Sequence, residues 1–124
     1  MLDYNSTLKT LKVVSEVDVL VVGGGTAGAV AAISAARGKM KTLVVEQFGF
    51  LGGTQTAGLV TPMMPNQIER VPLNRGIDWE INSRMAEAAE SGRWPDGNMG
   101  WFHPETLKIV LEQMVTDAGA EIRY

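Results

Sequence analysis

Six residues, Gly23-Gly24-Gly25-Thr26-Ala27-Gly28, stand between an apolar run and an alanine-rich stretch, and they restrict the folds open to this chain more than any other feature. Val17, Val19, Leu20, Val21 and Val22 precede them as a nearly continuous apolar run in which Asp18 is the one charge. Such a run predicts a strand of a parallel sheet, covered on both faces. Thr26 to Arg37 follows with alanines around Val30 and Ile33, a composition suited to a helix packed closely on a sheet, and Gly38 stands where a helix commonly ends. Thr42 to Val45 supplies a second strand, closed by Glu46. Val17 to Glu46 therefore reads as a complete strand, helix and strand unit of an α/β protein.

The glycines fit G-x-G-x-x-G at Gly23, Gly25 and Gly28, and each has a mechanical task. Gly23 permits the tight turn out of the strand, Gly25 has no side chain to hold a pyrophosphate away from the backbone, and Gly28 lets the helix lie close to the sheet. The pyrophosphate then meets the amides at the helix start, around Thr26 and Ala27, where unpaired N–H groups and the helix dipole favour an anion. Glycine-rich loops produce this spacing often; the strand before it and the helix after it are what give it weight. Glu46 adds to that weight, because it ends the second strand twenty-one positions beyond Gly25. That is about where a dinucleotide-binding unit places the acid that accepts hydrogen bonds from the adenosine ribose, and a carboxylate there disfavours a 2′-phosphate. A Rossmann-like dinucleotide-binding fold is the expectation, incomplete at this length.

Composition narrows the function further. The chain has 124 residues, enough for one domain, with 45% hydrophobic and 20% charged residues. Its net charge is −3 and no basic block occurs, so the footprint of a nucleic-acid binder is missing. Without cysteine there is no thiolate metal site and no redox-active dithiol, and the single His103 cannot build a zinc site alone. No metal site is expected, and redox chemistry would come from a cofactor. No apolar run reaches the roughly 18 to 20 residues needed to cross a bilayer, and no secretory pattern opens the chain, so the expected location is cytoplasmic, without a membrane partner.

Residues 1–16 read as a polar arm with a short edge strand around Leu11 to Val14, and residues 17–124 as the domain itself. Within the domain, 48–102 reads as a loop-rich insertion carrying one helix. That helix is expected over Ile77 to Glu90, with Ile81, Met85 and Ala88 or Ala89 on its apolar face and Ser91-Gly92 ending it. A Trp- and Gly-rich loop, Arg93 to Phe102, leads to Pro104 at the start of an amphipathic helix bearing Leu107, Val110, Leu111, Met114 and Val115. Ala120 to Tyr124 begins a third strand. His103 invites acid–base work, but capping a helix or filling a loop is the favoured reading. Packing is likewise favoured over stacking on a cofactor for Trp79, Trp94 and Trp101, and over a pocket for Met63 and Met64. Arg70 and Arg75 read as solvated rather than as carboxylate binders. No residue earns a catalytic assignment.

The stretch VDVLVVGGGTAGAVAAISAARGKMKTLVVEQFGFLGGTQTAGLV resembles the N-terminus of FAD-dependent oxidoreductases of the glutathione-reductase-like flavoprotein superfamily, which pair a GGGxAG loop with a strand-end Glu and a Gly-Gly doublet. The later stretch, GIDWEINSRMAEAAESG through HPETLKIVLEQMVTDAGAEIRY, is similar to one branch of those enzymes. The resemblance implies that Gly23 to Gly28 hold the FAD pyrophosphate, that Glu46 binds the AMP ribose, and that the backbone at Gly52, Gly53 and Thr54 passes beside the cofactor. Gln55 and Thr56 either approach the flavin ring or belong to an ordinary polar loop. Members of that family are several times longer, which implies an N-terminal part of an FAD-dependent oxidoreductase. Such a part acts on a small-molecule substrate only with the remaining part or a second chain. The alternatives are a non-catalytic module for NAD or ADP-ribose, and a remote relative of the tRNA-modifying flavoproteins, which the acidic balance disfavours.

Overall fold

The computed structural model describes residues 11–69, 71–88, 91–93 and 99–124. The first ten residues of the expected arm lie outside the described residues, as do Arg70, Ala89, Glu90 and Trp94. In chain order the elements are β1 (Val19–Val22), α1 (Thr26–Arg37), β2 (Thr42–Val45), β3 (Gln67–Ile68), β4 (Val71–Pro72), α2 (Ile77–Glu87), β5 (Ser91–Arg93), β6 (Met99–Phe102), α3 (Pro104–Asp117) and β7 (Glu121–Arg123), with one 3-10 turn at Gly53–Gln55. The chain is an α/β protein with a Rossmann-like unit at its centre.

β1, β2 and β7 form a parallel sheet in that order, in a register that sets Val21 beside Val44 and Val44 beside Ile122. These three residues point to one face, where α1 and α3 cover them through Ala29, Ala32, Ile33, Leu107, Leu111 and Met114. The alanines allow this: a helix with almost no side chain on its inner face lies close on the strands. The other face contradicts the expectation of a strand covered on both sides. Leu20 and Val22 are 56% and 80% exposed, because both helices pack on the same face. β1 therefore alternates between half-buried and exposed residues. It also begins two residues later than its apolar run, since Asp18 is a corner residue: its carboxylate accepts the Lys41 N–H at 2.8 Å while its own N–H donates to the Lys41 carbonyl. The expected edge strand at Leu11 to Val14 is not formed, and Leu11, Val13 and Val14 are exposed.

Between β2 and α3 the chain leaves the sheet. α2 packs on α3 through the buried Ile81 and Met85 and ends at Glu87, short of the expected Glu90. Ser91-Gly92 does not simply end a helix; it opens β5, which pairs antiparallel with β6 so that Ser91 lies opposite Phe102. The Arg93 to Phe102 stretch is thus partly strand, and β3 and β4 make a second antiparallel pair. The Met63 N–H donates to the Gly100 carbonyl at 2.9 Å, which ties the start of the excursion to its end.

Candidate cofactor site

The turn out of β1 is made at Gly23, whose φ of +99° is closed to most side chains. Its N–H donates to the Val45 carbonyl at 2.8 Å, which fixes the turn to the end of β2. Gly28 permits the packing of α1: a Cβ there would lie 1.9 Å from the Gly23 carbonyl oxygen. Gly25 differs from both. Its backbone is extended, and an added Cβ would find no atom nearer than the Gly53 Cα at 3.9 Å. The space before it is open.

α1 starts beside that space without a side-chain cap and with no acid in its first turn. The first helical bond is made by the Ala29 N–H to the Gly25 carbonyl. Gly25 and Gly52 form an isolated parallel bridge, which lays the glycine doublet against the start of α1. The N–H groups of Ala27 and Gly28 have no partner among the described residues. The Thr26 hydroxyl, the one side chain that could have capped the turn, points sideways to the Gly52 carbonyl at 3.2 Å and the Gln55 Oε1 at 2.7 Å. Bare amides and the positive end of the helix dipole thus face an opening that no side chain of the described residues occupies. An anion with several oxygens fits such a cradle.

Glu46 is buried, 7% exposed, and the main chain engages both of its oxygens. Oε2 accepts the Gly24 N–H at 2.5 Å and Oε1 accepts the Phe48 N–H at 2.9 Å. Both partners are donors, so a carboxylate is required and an amide would set its NH₂ against one of them. Sequence reasoning missed this role; the extra glycine of the triplet, Gly24, was its only sign. A Cβ on Gly24 would meet Leu51 and crowd the Glu46 carboxylate. Each oxygen keeps a second lone pair for a further donor. Val22, Gly23, Val45, Glu46 and Gln47 border a cavity of about 310 Å³ at the carboxyl ends of β1 and β2, the end at which open parallel sheets take ligands.

The glycine doublet lies directly against the turn. The Gly52 N–H donates to the Gly24 carbonyl at 2.9 Å, and Gly53 passes so near that its Cβ would sit 2.9 Å from the Gly25 Cα. Thr54 is exposed beside it. Thr56 faces inward instead: it is 1% exposed and donates its hydroxyl to the Leu51 carbonyl at 2.7 Å, so it closes the loop.

The remaining singled-out residues stand apart from this corner. His103 occupies the N-cap position of α3 but makes no side-chain cap bond and is exposed. Trp79 and Trp101 are exposed on the excursion, Trp101 forming an isolated bridge with Pro62. Met63 packs against the core, whereas Met64 is exposed. Arg75 and Trp79 border a separate surface cavity. At the carboxyl end of β7, Tyr124 donates to Glu112 at 2.7 Å, and burial together with that bond holds its phenol well above the usual range. Among the described residues no three His, Cys, Asp or Glu side chains gather as a metal site, and no helix is long and apolar enough to cross a membrane.

A parallel sheet whose first turn bares helix amides beside an open glycine, with an acid closing the second strand, defines a dinucleotide-binding protein. Residues 18–124 match the model of the family described as FAD dependent oxidoreductase, and the chain belongs to that family. It is 32% identical over 111 residues to digeranylgeranylglycerophospholipid reductase 3 of Methanosphaera stadtmanae, covering 84% of this chain and 26% of the relative. It is 36% identical over 116 residues to thiamine thiazole synthase of Pyrobaculum aerophilum, covering 93% of this chain and 40% of the relative. The chain thus spans well under half the length of these relatives. Among solved structures, THI4 of Thermovibrio ammonificans matches 96% of this chain and 42% of its own at a TM-score of 0.58 and 21% identity. AlpK matches 87% of this chain and 23% of its own at a TM-score of 0.59 and 18% identity. These two likenesses show the fold. FAD is the cofactor of the family, and a module confined to NAD or ADP-ribose is not favoured.

Proposed function

We propose that this chain forms the adenosine and pyrophosphate half of an FAD site in a longer oxidoreductase that acts on a small-molecule substrate. The helix start at Thr26, Ala27 and Gly28 holds the pyrophosphate, with Gly23 shaping the turn and Gly25 leaving room for it. Glu46 first locks Gly24 and Phe48 in place and then offers its remaining lone pairs to the ribose hydroxyls. Gly52, Gly53 and Thr54 border the cofactor from the other side. Bound FAD supplies two-electron redox chemistry at its flavin ring. Placing a substrate against that ring requires residues supplied by the rest of the protein or by a second chain, so we take this chain alone to be inactive.

The observation that carries the reading is the pair of unpartnered amides, Ala27 and Gly28, beside the open space at Gly25. Gly25→Ala tests it directly, because its extended backbone and empty surroundings accept a methyl group in the free protein. Titration of the chain with FAD, followed by flavin fluorescence, should give affinity at least about tenfold weaker for Gly25→Ala, an effect of about 1.4 kcal/mol. Urea denaturation without FAD should give the same midpoint for both. Equal FAD affinity would sink the assignment.

A further inference from the structure

The amphipathy of the hairpin formed by β3 and β4 is inverted. Ile68 lies opposite Val71 and Gln67 opposite Pro72. The Leu73 N–H donates to the Asn66 carbonyl at 2.8 Å, which carries the pairing one residue further. Alternation along the ribbon therefore puts Ile68, Val71 and Leu73 on one face and Gln67 and Pro72 on the other. An antiparallel ribbon with one face in water ordinarily turns its polar residues outward. Here the apolar face is outside: Ile68, Val71 and Leu73 are 62%, 60% and 60% exposed, while Gln67 and Pro72 are half-buried. One exposed apolar side chain needs no explanation, but three on one face of a ribbon make a contact surface.

The charges at the two ends of the ribbon point to what covers it. Glu69 stands exposed in the turn, with a φ of +49° that glycine or asparagine adopts at lower cost. Arg75 stands exposed beyond Leu73, at the foot of the ribbon. Neither side chain has a hydrogen bond or ion pair among the described residues, whereas Asp78 and Glu80 just beyond them are both engaged. A strip with an apolar middle and a free charge of opposite sign at each end is complementary to itself turned end for end. In a two-fold contact, whatever residue i does to j is repeated by j to i. An axis between Val71 and Leu73 thus sets Glu69 of each copy against Arg75 of the other. The same rotation carries the turn of one copy, with Ile68 beside it, to the foot of the other. There Pro72, Arg75, Gly76 and Trp79 border a cavity of about 340 Å³, and Trp79 is 43% exposed. Exposed tryptophan and arginine are the residue types that most often anchor protein contacts. Another part of a longer chain would match the apolar middle as well, but it gives no reason for opposite free charges at the two ends.

We propose that this hairpin face is a self-association surface on which a second copy of the chain docks about a two-fold axis, held by two Glu69–Arg75 ion pairs. The proposal does not draw on the FAD reading. The patch is small, and interfaces below about 1,200 Å² are of the weak, transient kind. Sedimentation equilibrium of the full chain, from about 10 µM to about 1 mM, should show monomer and dimer in exchange with a Kd on the order of 100 µM. Glu69→Arg and Arg75→Glu should each weaken the dimer about tenfold or more, and the two together should restore it to within about threefold of the wild type. In a mixture of labelled and unlabelled wild-type chain, isotope-filtered NMR should connect the Ile68 methyl groups of one copy with the Trp79 indole of the other, a test that needs no variant to fold. A monomer at every concentration overturns the proposal and leaves the face to another part of a longer protein. A dimer that ignores the charge exchange, or one without the Ile68–Trp79 contact, overturns it too.

Discussion

Residues 19–46 and residues 48–102 are built on different principles. The first stretch is organised by its own sequence: β1 turns at Gly23 into α1, α1 ends at Gly38, and β2 returns beside β1 in unbroken register. The second is organised by what it touches. Leu51 is fully buried beneath the glycine turn, Thr56 bonds back to Leu51, and Glu80 reaches across to Arg37 of α1. The difference teaches that the glycine corner is not the product of the motif alone. Gly24 is held from one side by Glu46 and from the other by Gly52, so the motif supplies a bend and the excursion clamps it.

Substitutions on the two sides of this contrast should differ in kind, beginning with the largest. Gly28→Val puts a Cβ 1.9 Å from the Gly23 carbonyl oxygen, and relief requires α1 to leave the sheet. Urea denaturation should record a loss of about 3 kcal/mol, spread over the whole fold. A small loss would mean that α1 is less tightly seated than its alanines indicate. Glu46→Gln comes next, at about 2 kcal/mol, because an amide leaves one buried N–H unsatisfied. It should also weaken FAD binding, whereas Gly25→Ala weakens binding alone. If Glu46→Gln changed affinity without changing stability, the main-chain bonds of Glu46 would be incidental. Thr56→Val keeps the shape but deprives the buried Leu51 carbonyl of its donor, at about 1 kcal/mol. Amide hydrogen exchange should quicken at Gly52 and not at Val44. Quickening at both would erase the distinction between the two stretches.

That distinction also marks what could be read from sequence. The glycine turn, α1, β2, α3 behind Pro104 and the third strand were legible because each announces itself locally, through a period, a cap or a breaker. β3 and β4 were not, since two-residue strands carry no period and are defined by a partner. β5 and β6 were hidden for a similar reason: Ser91-Gly92 looks like a helix end whether or not a strand follows. At the site, the spacing of Gly23, Gly25, Gly28 and Glu46 was visible in advance. The bonds from Glu46 to Gly24 and Phe48 and the inward turn of Thr56 were not, because both depend on chain that folds back from elsewhere.

The smallest expected effect concerns how the excursion is fastened to the central unit. Glu80 of α2 lies 2.7 Å from Arg37 of α1 and 3.0 Å from Arg84, and Arg84 continues to Asp117 of α3 at 3.4 Å. The hydrogen bond from Arg37 is the main cause holding the Glu80 carboxyl below its ordinary value of 4.5. A carboxyl that titrates lower in the folded chain contributes stability above the ordinary value, and that contribution fades as pH falls through the folded one. The Arg37 guanidinium, raised by the same bond, stays charged throughout. The pair is largely solvated, so its worth is about 0.5 kcal/mol. Glu80→Gln should be less stable than the wild type by that amount at about pH 7, with the gap closing as pH falls below the ordinary value of 4.5 and through the lowered folded one, and shrinking in high salt. A gap that survives acid would show that the substitution disturbs packing instead. No gap at any pH would show that the Arg37 pair adds nothing to the contacts α2 makes through Ile81 and Met85.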